Sequence, residues 1–190
     1  MGQSKALLAF EGEPLLTRVV RNVASFCEPV VVVAQADQAL PPHAPARVVH
    51  DAIVDSGPLV GLSAGLEATA NTTSTSWVFV CTTDAPWVSK AVVERMAALG
   101  EGFDAVVARV RGKEHVLTAL YRPSLGQTAR DLVASGERRA SRLSREAPTR
   151  FVETDELLSD PAVLRDDPDL ATFENVNTPE DLARARTRRC

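Results

Sequence analysis

The chain has 190 residues, 45% hydrophobic and 24% charged, with 21 basic against 25 acidic side chains and a formal charge of -4. This is the composition of a globular domain that can fold around a core without disulfides or a structural metal, and it lacks the basic surplus of a phosphate-gripping nucleic-acid binder. Cys27, Cys81 and Cys190 show no metal-ligand spacing, no apolar run approaches the roughly 20 residues that span a bilayer, and Met1-Gly-Gln-Ser-Lys5 has no signal-peptide core, so a cytoplasmic single domain over residues 1–190 is expected, with neither nucleic acid nor membrane as partner.

Leu15, Val19, Val20 and Val23 recur at helical intervals, which predicts a helix over residues 14–26 with Pro14 in its first turn. Residues 29–34 then run Pro-Val-Val-Val-Val-Ala, apolar on both faces, as in a strand inside a covered parallel sheet. A short strand follows at 47–50, a helix at 58–70, and a buried strand at 77–81. Ser89 is a fitting N-cap for a helix through Leu99. Strands at 104–110 and 116–121 are joined by so short a connection that they pair antiparallel. Helices are predicted at 125–135, ended by Gly136, and at 179–188. Residues 155–174 have weak periodicity and read mostly as loop. The alternation is that of a layered α/β domain.

Residues 136–150 hold five Arg against two Glu, whereas 153–174 hold eight acids and one Arg. Such runs are commonly solvated faces. The sharper alternative is that Arg138, Arg139 or Arg142 meets an anionic substrate.

Three constellations could carry chemistry. Thr82-Thr-Asp84-Ala-Pro86 follows a buried strand, at the end of a parallel sheet where ligands bind. An aspartate there can ligate Mg2+, a hard cation satisfied by one or two carboxylates plus phosphate and water oxygens, or it can simply cap a turn. Asp51 precedes Gly57-Pro58-Leu59-Val-Gly61-Leu-Ser-Ala-Gly65, with glycines every four residues. Such glycines serve either close helix–sheet packing or close approach of backbone N–H groups to a phosphate or base. In Asn175-Val-Asn177-Thr-Pro, an extended backbone points both amides to one face, where they could grip one ligand, although turn capping fits too. His115 reads as a hydrogen-bonded strand residue rather than a catalytic base.

In order, Met1-Gly-x-x-Lys5-Ala-Leu-Leu with Gly12-x-Pro-Leu-Leu, then Asp51, Gly57-Pro-Leu-x-Gly-Leu, Thr83-Asp84-x-Pro, His115 through Ala-Leu-Tyr-Arg122, and Asn175-Val-Asn-Thr-Pro-Glu-Asp-Leu182 resemble the molybdenum cofactor guanylyltransferases nearly end to end. The resemblance implies a Rossmann-like three-layer α/β/α nucleotidyltransferase domain, mostly parallel with an antiparallel edge. It implies transfer of GMP from GTP to molybdenum-molybdopterin, with Mg2+ as cofactor and release of pyrophosphate. By the same resemblance Lys5 and Asp84 are catalytic, and Asp84 holds the metal. Asp51, Gly57, Pro58, Leu59 and Gly61 bind the nucleotide together with Lys5 and Asp84, and Asn175 and Asn177 lie on the pterin side. Molybdenum-insertion proteins and recipient molybdoenzymes are implied as partners of a monomer or weak oligomer.

Family members carry a buried strand and a Leu-Ala-Gly-Gly-x-Ser-x-Arg loop before the Met-Gly-x-x-Lys stretch, and this chain starts at that Met. A start codon placed too far downstream is the expectation. Val116, where Pro is usual, and Ser4, where Asp is frequent, are smaller departures. The competing readings are a CTP-using relative, an enzyme with another phosphorylated acceptor, and a non-catalytic GTP-binding homologue.

Overall fold

Short β-branched runs alternate with amphipathic segments along the computed structural model, which describes residues 7–51, 57–70, 76–176 and 181. A hairpin opens it, β1 (Ala9–Phe10) against β2 (Glu13–Pro14), through Glu11 and Gly12 at φ 49° and 87°. Two successive positive φ values make the tight turn that matches strand twist, and glycine takes the second without strain. Helix α1 (Leu15–Ala24) buries Leu15, Leu16, Val19, Val20 and Val23 on one stripe. It feeds β3 (Val31–Ala34), which pairs in parallel with β4 (Arg47–His50), Val32 opposite Val48.

Helix α2 (Pro58–Ala70) leads to β5 (Val78–Val80), α3 (Lys90–Ala98), β6 (Ala105–Val110) and β7 (Lys113–Tyr121). After α4 (Leu125–Ala134), a 3-10 turn (Ala140–Arg142) and α5 (Leu143–Glu146), strand β8 (Thr149–Glu153) returns to the sheet. The four-stranded ladder runs β5-β7-β6-β8, with β6 and β8 parallel and β7 antiparallel to both its neighbours. The antiparallel strand therefore lies inside this ladder. It reaches that position because Arg111-Gly112, at φ 52° and 73°, turns it straight back onto β6.

Both faces of this sheet are covered. Val106, Ala108, Val110 and Leu120 join Val92 and Met96 of α3 on one side. Ala105, Val107 and Tyr121 join Leu59, Leu62 and Leu66 of α2 on the other, with Ala129 and Leu143. Period-2 alternation thus sends successive residues of one strand into two cores, each burying side chains at roughly 1.5–3 kcal/mol apiece. At the start of β5 the Arg122 guanidinium stacks 3.8 Å over the Trp77 ring and donates to the Ser76 carbonyl at 2.9 Å.

Residues 155–174 are more ordered than a loop. They contain α6 (Thr154–Leu158), α7 (Pro161–Asp166) and a 3-10 turn (Ala171–Phe173). Reciprocal Glu153 and Glu156 bonds start α6, and Asp160 caps α7 ahead of Pro161, so local capping stands in for periodicity in helices this short. Of the helix expected at 179–188, all but residue 181 lies outside the described residues. Among those described, no helix is long and apolar enough to cross a membrane.

Candidate active site

One edge collects the starts of α1 and α2 and the loops that leave β3, β4 and β5. The Thr17 hydroxyl, in the first turn of α1, donates to the Pro42 carbonyl beyond β3 at 2.6 Å. Phe10, just before α1, meets Trp87 beyond β5 edge-on at 5.7 Å between ring centroids. At the opposite edge Arg47, which begins β4, donates to the Ala68 carbonyl near the end of α2 at 2.9 Å. Helices antiparallel to their strands thus bring N-terminal N–H groups to the carboxyl ends of the strands, the face where α/β sheets bind ligands.

Asp51 and Asp84 both lie on this edge. The Asp51 N–H donates to the Ala34 carbonyl at 3.1 Å, which fixes the residue one step beyond the β3-β4 ladder. Its Oδ1 is buried without a hydrogen-bond partner among the described residues, an arrangement that costs about 1–3 kcal/mol until a donor or cation fills it. Asp84 is 6% exposed at the turn after β5. Its carbonyl accepts the Val176 N–H at 2.8 Å, so the Asn175 segment is docked on the Asp84 loop, with the Asn175 side chain exposed. The Thr82 hydroxyl, between β5 and Asp84, is also buried without a hydrogen-bond partner among the described residues.

Gly57, at φ 80°, ends the approach to α2. A Cβ there would sit 2.9 Å from the Arg138 carbonyl oxygen, and that same carbonyl accepts the Leu59 N–H at 3.1 Å. Gly57 is therefore needed for close packing as well as for its backbone angle. Leu59 is completely buried in the core, so neither its side chain nor its N–H faces a ligand. Pro58 is exposed, while a Cβ added at Gly61 would meet the Val33 side chain at 3.9 Å, so that position packs on β3. Lys5 and Asn177 lie outside the described residues.

The arginine segment works through its backbone. The Arg138 guanidinium turns back to the Val133 and Glu137 carbonyls at 3.0 and 2.9 Å while its carbonyl receives α2. Arg139 and Arg142 are exposed and paired with Glu137 and Glu146. Hydrogen bonds from the Arg139 side chain and from the Arg139 and Arg138 N–H groups hold the Glu137 carboxyl at about 2. Charge was the visible signal at Arg138, and it missed the carbonyl. The Thr82 hydroxyl had only its place in Thr-Thr-Asp to mark it.

Nucleophilic side-chain catalysis has no support at this edge. Burial, with the negative charges of Cys27 and Asp84, pushes the Cys81 thiol up to about 12, so it stays protonated and inert. His115 lies on β7 and packs on Phe173 at 4.9 Å. No cluster of three or more metal-ligating side chains occurs among the described residues. A cation at this edge would rely on one or two carboxylates and on oxygens of the substrate, which is the coordination Mg2+ prefers beside phosphates. Buried Asp84 and the unpartnered Asp51 oxygen fit that donor set.

Residues 1–151 match the MobA-like NTP transferase domain. A protein of Mycobacterium ulcerans named as a probable molybdenum cofactor guanylyltransferase is 34% identical over 185 residues, 96% of this chain and 85% of the relative. Among solved structures, molybdopterin-guanine dinucleotide biosynthesis protein A of Archaeoglobus fulgidus superposes with a TM-score of 0.75 at 21% identity, over 98% of this chain and 91% of the other. The 2-C-methyl-D-erythritol 4-phosphate cytidylyltransferase of Thermus thermophilus superposes with a TM-score of 0.66 at 17% identity, over 98% and 94%. At those identities the two structures speak for a shared nucleotidyltransferase fold.

Proposed function

The chain belongs to the family of MobA-like NTP transferases, and on that premise we propose that it transfers GMP from GTP to the terminal phosphate of molybdenum-molybdopterin, in the cytoplasm, releasing pyrophosphate. The observation that carries this reading is the delivery of two carboxylates, Asp51 and Asp84, to the carboxyl edge of the parallel strands beside the start of α2.

In the reaction an oxygen of the acceptor phosphate forms a bond to the α-phosphorus as the bond to the bridging oxygen of pyrophosphate breaks. Such transfer needs alignment and cancellation of charge more than it needs a base. Bound Mg2+ would neutralise charge on the phosphate oxygens. Asp84 would hold it, with the free Asp51 oxygen facing the nucleotide or its metal shell. The α2 N-terminus is kept in place by the Arg138 carbonyl, which accepts the Leu59 N–H, so what it would offer the nucleotide is the positive end of the helix dipole. Lys5 would offset charge gathering on pyrophosphate. Asn175, held against Asp84 through Val176, and Asn177 would contact the pterin.

The test is formation of the guanine dinucleotide, with pyrophosphate release, from molybdenum-molybdopterin, Mg2+ and either GTP or CTP. Product with GTP and none with CTP supports the reading. The cytidylyltransferase fold match favours a second reading, which preference for CTP would establish. Asp84→Asn preserves shape while removing the charge, and should lower kcat on the order of a thousandfold with the fold retained. A folded Asp84→Asn protein with full activity refutes the metal role.

A further inference from the structure

The turn that carries Asp84 continues to Ser89 and is held from two sides. On one side Asn22 of α1 donates from Nδ2 to the Val88 carbonyl at 2.7 Å, and Phe10 packs on Trp87. On the other side residues 167–176 reach the turn twice. The Ser89 N–H donates to the Thr172 hydroxyl oxygen at 2.9 Å, and the Val176 N–H donates to the Asp84 carbonyl at 2.8 Å. The Ser89–Thr172 contact spans 83 residues of sequence, so no local pattern announces it.

Thr172 can receive Ser89 only while its own rotamer is fixed. It is completely buried, and a hydroxyl has one proton to give and two lone pairs to receive with. The proton goes to Asp167 Oδ2 at 2.7 Å rather than to the Trp87 carbonyl at 3.4 Å, which leaves the lone pairs for Ser89. Asp167 is 6% exposed and stands just beyond α7. A carboxylate taken out of water needs donors. It finds three in its own turn, the Ala171 N–H on Oδ1 at 2.7 Å and, on Oδ2, the Thr172 hydroxyl together with the Thr172 N–H at 3.0 Å.

Every donor to Asp167 therefore belongs to the 3-10 turn at Ala171–Phe173 or its first residues, and the carboxylate gives that turn a single orientation. Val176 follows at once, 1% exposed and packed with Phe10 and Leu15. Its N–H reaches the Asp84 carbonyl only because the chain leaves Thr172 in a fixed direction.

We propose that Asp167 and Thr172 are positioning residues for Asp84: the carboxylate orients the hydroxyl, and the hydroxyl latches residues 167–176 onto the turn after β5. The latch sets where the Asp84 side chain meets a cation and keeps Asn175 beside it. The latch itself stands on the hydrogen bonds above, while its effect on the cation rests on the nucleotidyl-transfer reading.

Thr172→Val removes the hydroxyl at nearly constant shape, Thr172→Ser returns it, and Asp167→Asn weakens the acceptor. Amide hydrogen exchange reads the latch with no ligand present. In Thr172→Val the Ser89 and Val176 amides should exchange faster on the order of tenfold, the loss of about one hydrogen bond, and Thr172→Ser should restore both. Initial rates against Mg2+, with GTP and molybdenum-molybdopterin saturating, read the cation. The Mg2+ concentration at half-maximal rate should rise on the order of tenfold in Thr172→Val and in Asp167→Asn, with kcat at saturating Mg2+ lowered less. Thr172→Ser should stay near the wild-type value. Leu157→Ala weakens the same core from α6 and takes no part in these hydrogen bonds, so it should lower the urea midpoint and leave the Mg2+ value in place.

Unchanged exchange at Val176 in Thr172→Val overturns the latch. Faster exchange with an unmoved Mg2+ value, or a Mg2+ value that moves as far in Leu157→Ala, overturns the positioning role. A wild-type chain with no turnover at any Mg2+ concentration overturns the nucleotidyl-transfer reading and the cation role with it, and exchange then upholds or overturns the latch alone.

Discussion

The β5-β7-β6-β8 sheet and the β3-β4 pair use the same Val-rich strands and end in different states. In the larger sheet β6 and β7 have neighbours on both edges and helices on both faces, and most of the completely buried large side chains lie there. The smaller pair has one ladder, a core centred on Leu16, Val20 and Val32, and an open cavity at its flank. Yet Asp51 belongs to the smaller part and Asp84 to the border between the two. Rigid scaffold and adjustable rim are thus divided along the sheet, as expected where ligand-binding elements come from the less stable end of a structure.

The largest expected difference comes from one substitution made in both parts. Leu120→Ala, between two covered faces, should cost about 2–5 kcal/mol. Leu16→Ala, beside a cavity that already lacks close neighbours, should fall at or below the bottom of that range. Urea midpoints of the two variants measure the contrast, and equal losses would mean that the two parts are packed alike. Gly57→Ala comes next. The φ of 80° and the Arg138 carbonyl at 2.9 Å from the new Cβ should together cost about 2 kcal/mol and displace the start of α2. A GTP titration with parallel thermal melts would register both effects.

Some of this arrangement was readable in advance. The α2 boundaries, the β4 strand and the Arg111-Gly112 turn follow from local signals, namely Pro58 at a helix start, β-branched runs and turn residues. Asp51 and Asp84 were recognisable as carboxylates at strand ends. What escaped is non-local. Thr149–Glu153 carries Arg150 and two other polar residues and becomes a strand only because β6 offers a parallel edge. The packing of Gly57 against Arg138 depends on a turn far away in sequence, and the antiparallel place of β7 inside its sheet depends on where β5 ends up.

Two smaller effects sharpen the comparison at the surface of the larger part. Burial, with the nearby charges of Lys113 and Arg111, lowers the pKa of His115 despite a hydrogen bond with the Val110 backbone. A lowered folded value means that the unfolded chain takes the proton first, so stability is full above about 6.5 and falls as the pH drops through the folded value. Urea melts at pH 7.5 and 5.5 should show that loss, and His115→Gln should diminish it. Smallest of all, Arg139→Ala should leave the melting temperature nearly unchanged, because the Arg139 guanidinium lies in solvent that screens its pair with Glu137. A thermal melt showing a larger loss would mean that the Glu137 turn, and through it the Arg138 carbonyl, depends on that guanidinium.

The chain has two tryptophans, and they fall on opposite sides of this division. Trp87 lies against Phe10 where α1 begins, while Trp77 is clamped beneath Arg122 at the far end of β5. Their fluorescence therefore separates the two parts spectroscopically. In a Trp77→Phe chain the emission comes from the rim alone, and in a Trp87→Phe chain it comes from the scaffold, so the order in which the two parts open or take up a ligand can be followed in real time without any attached dye.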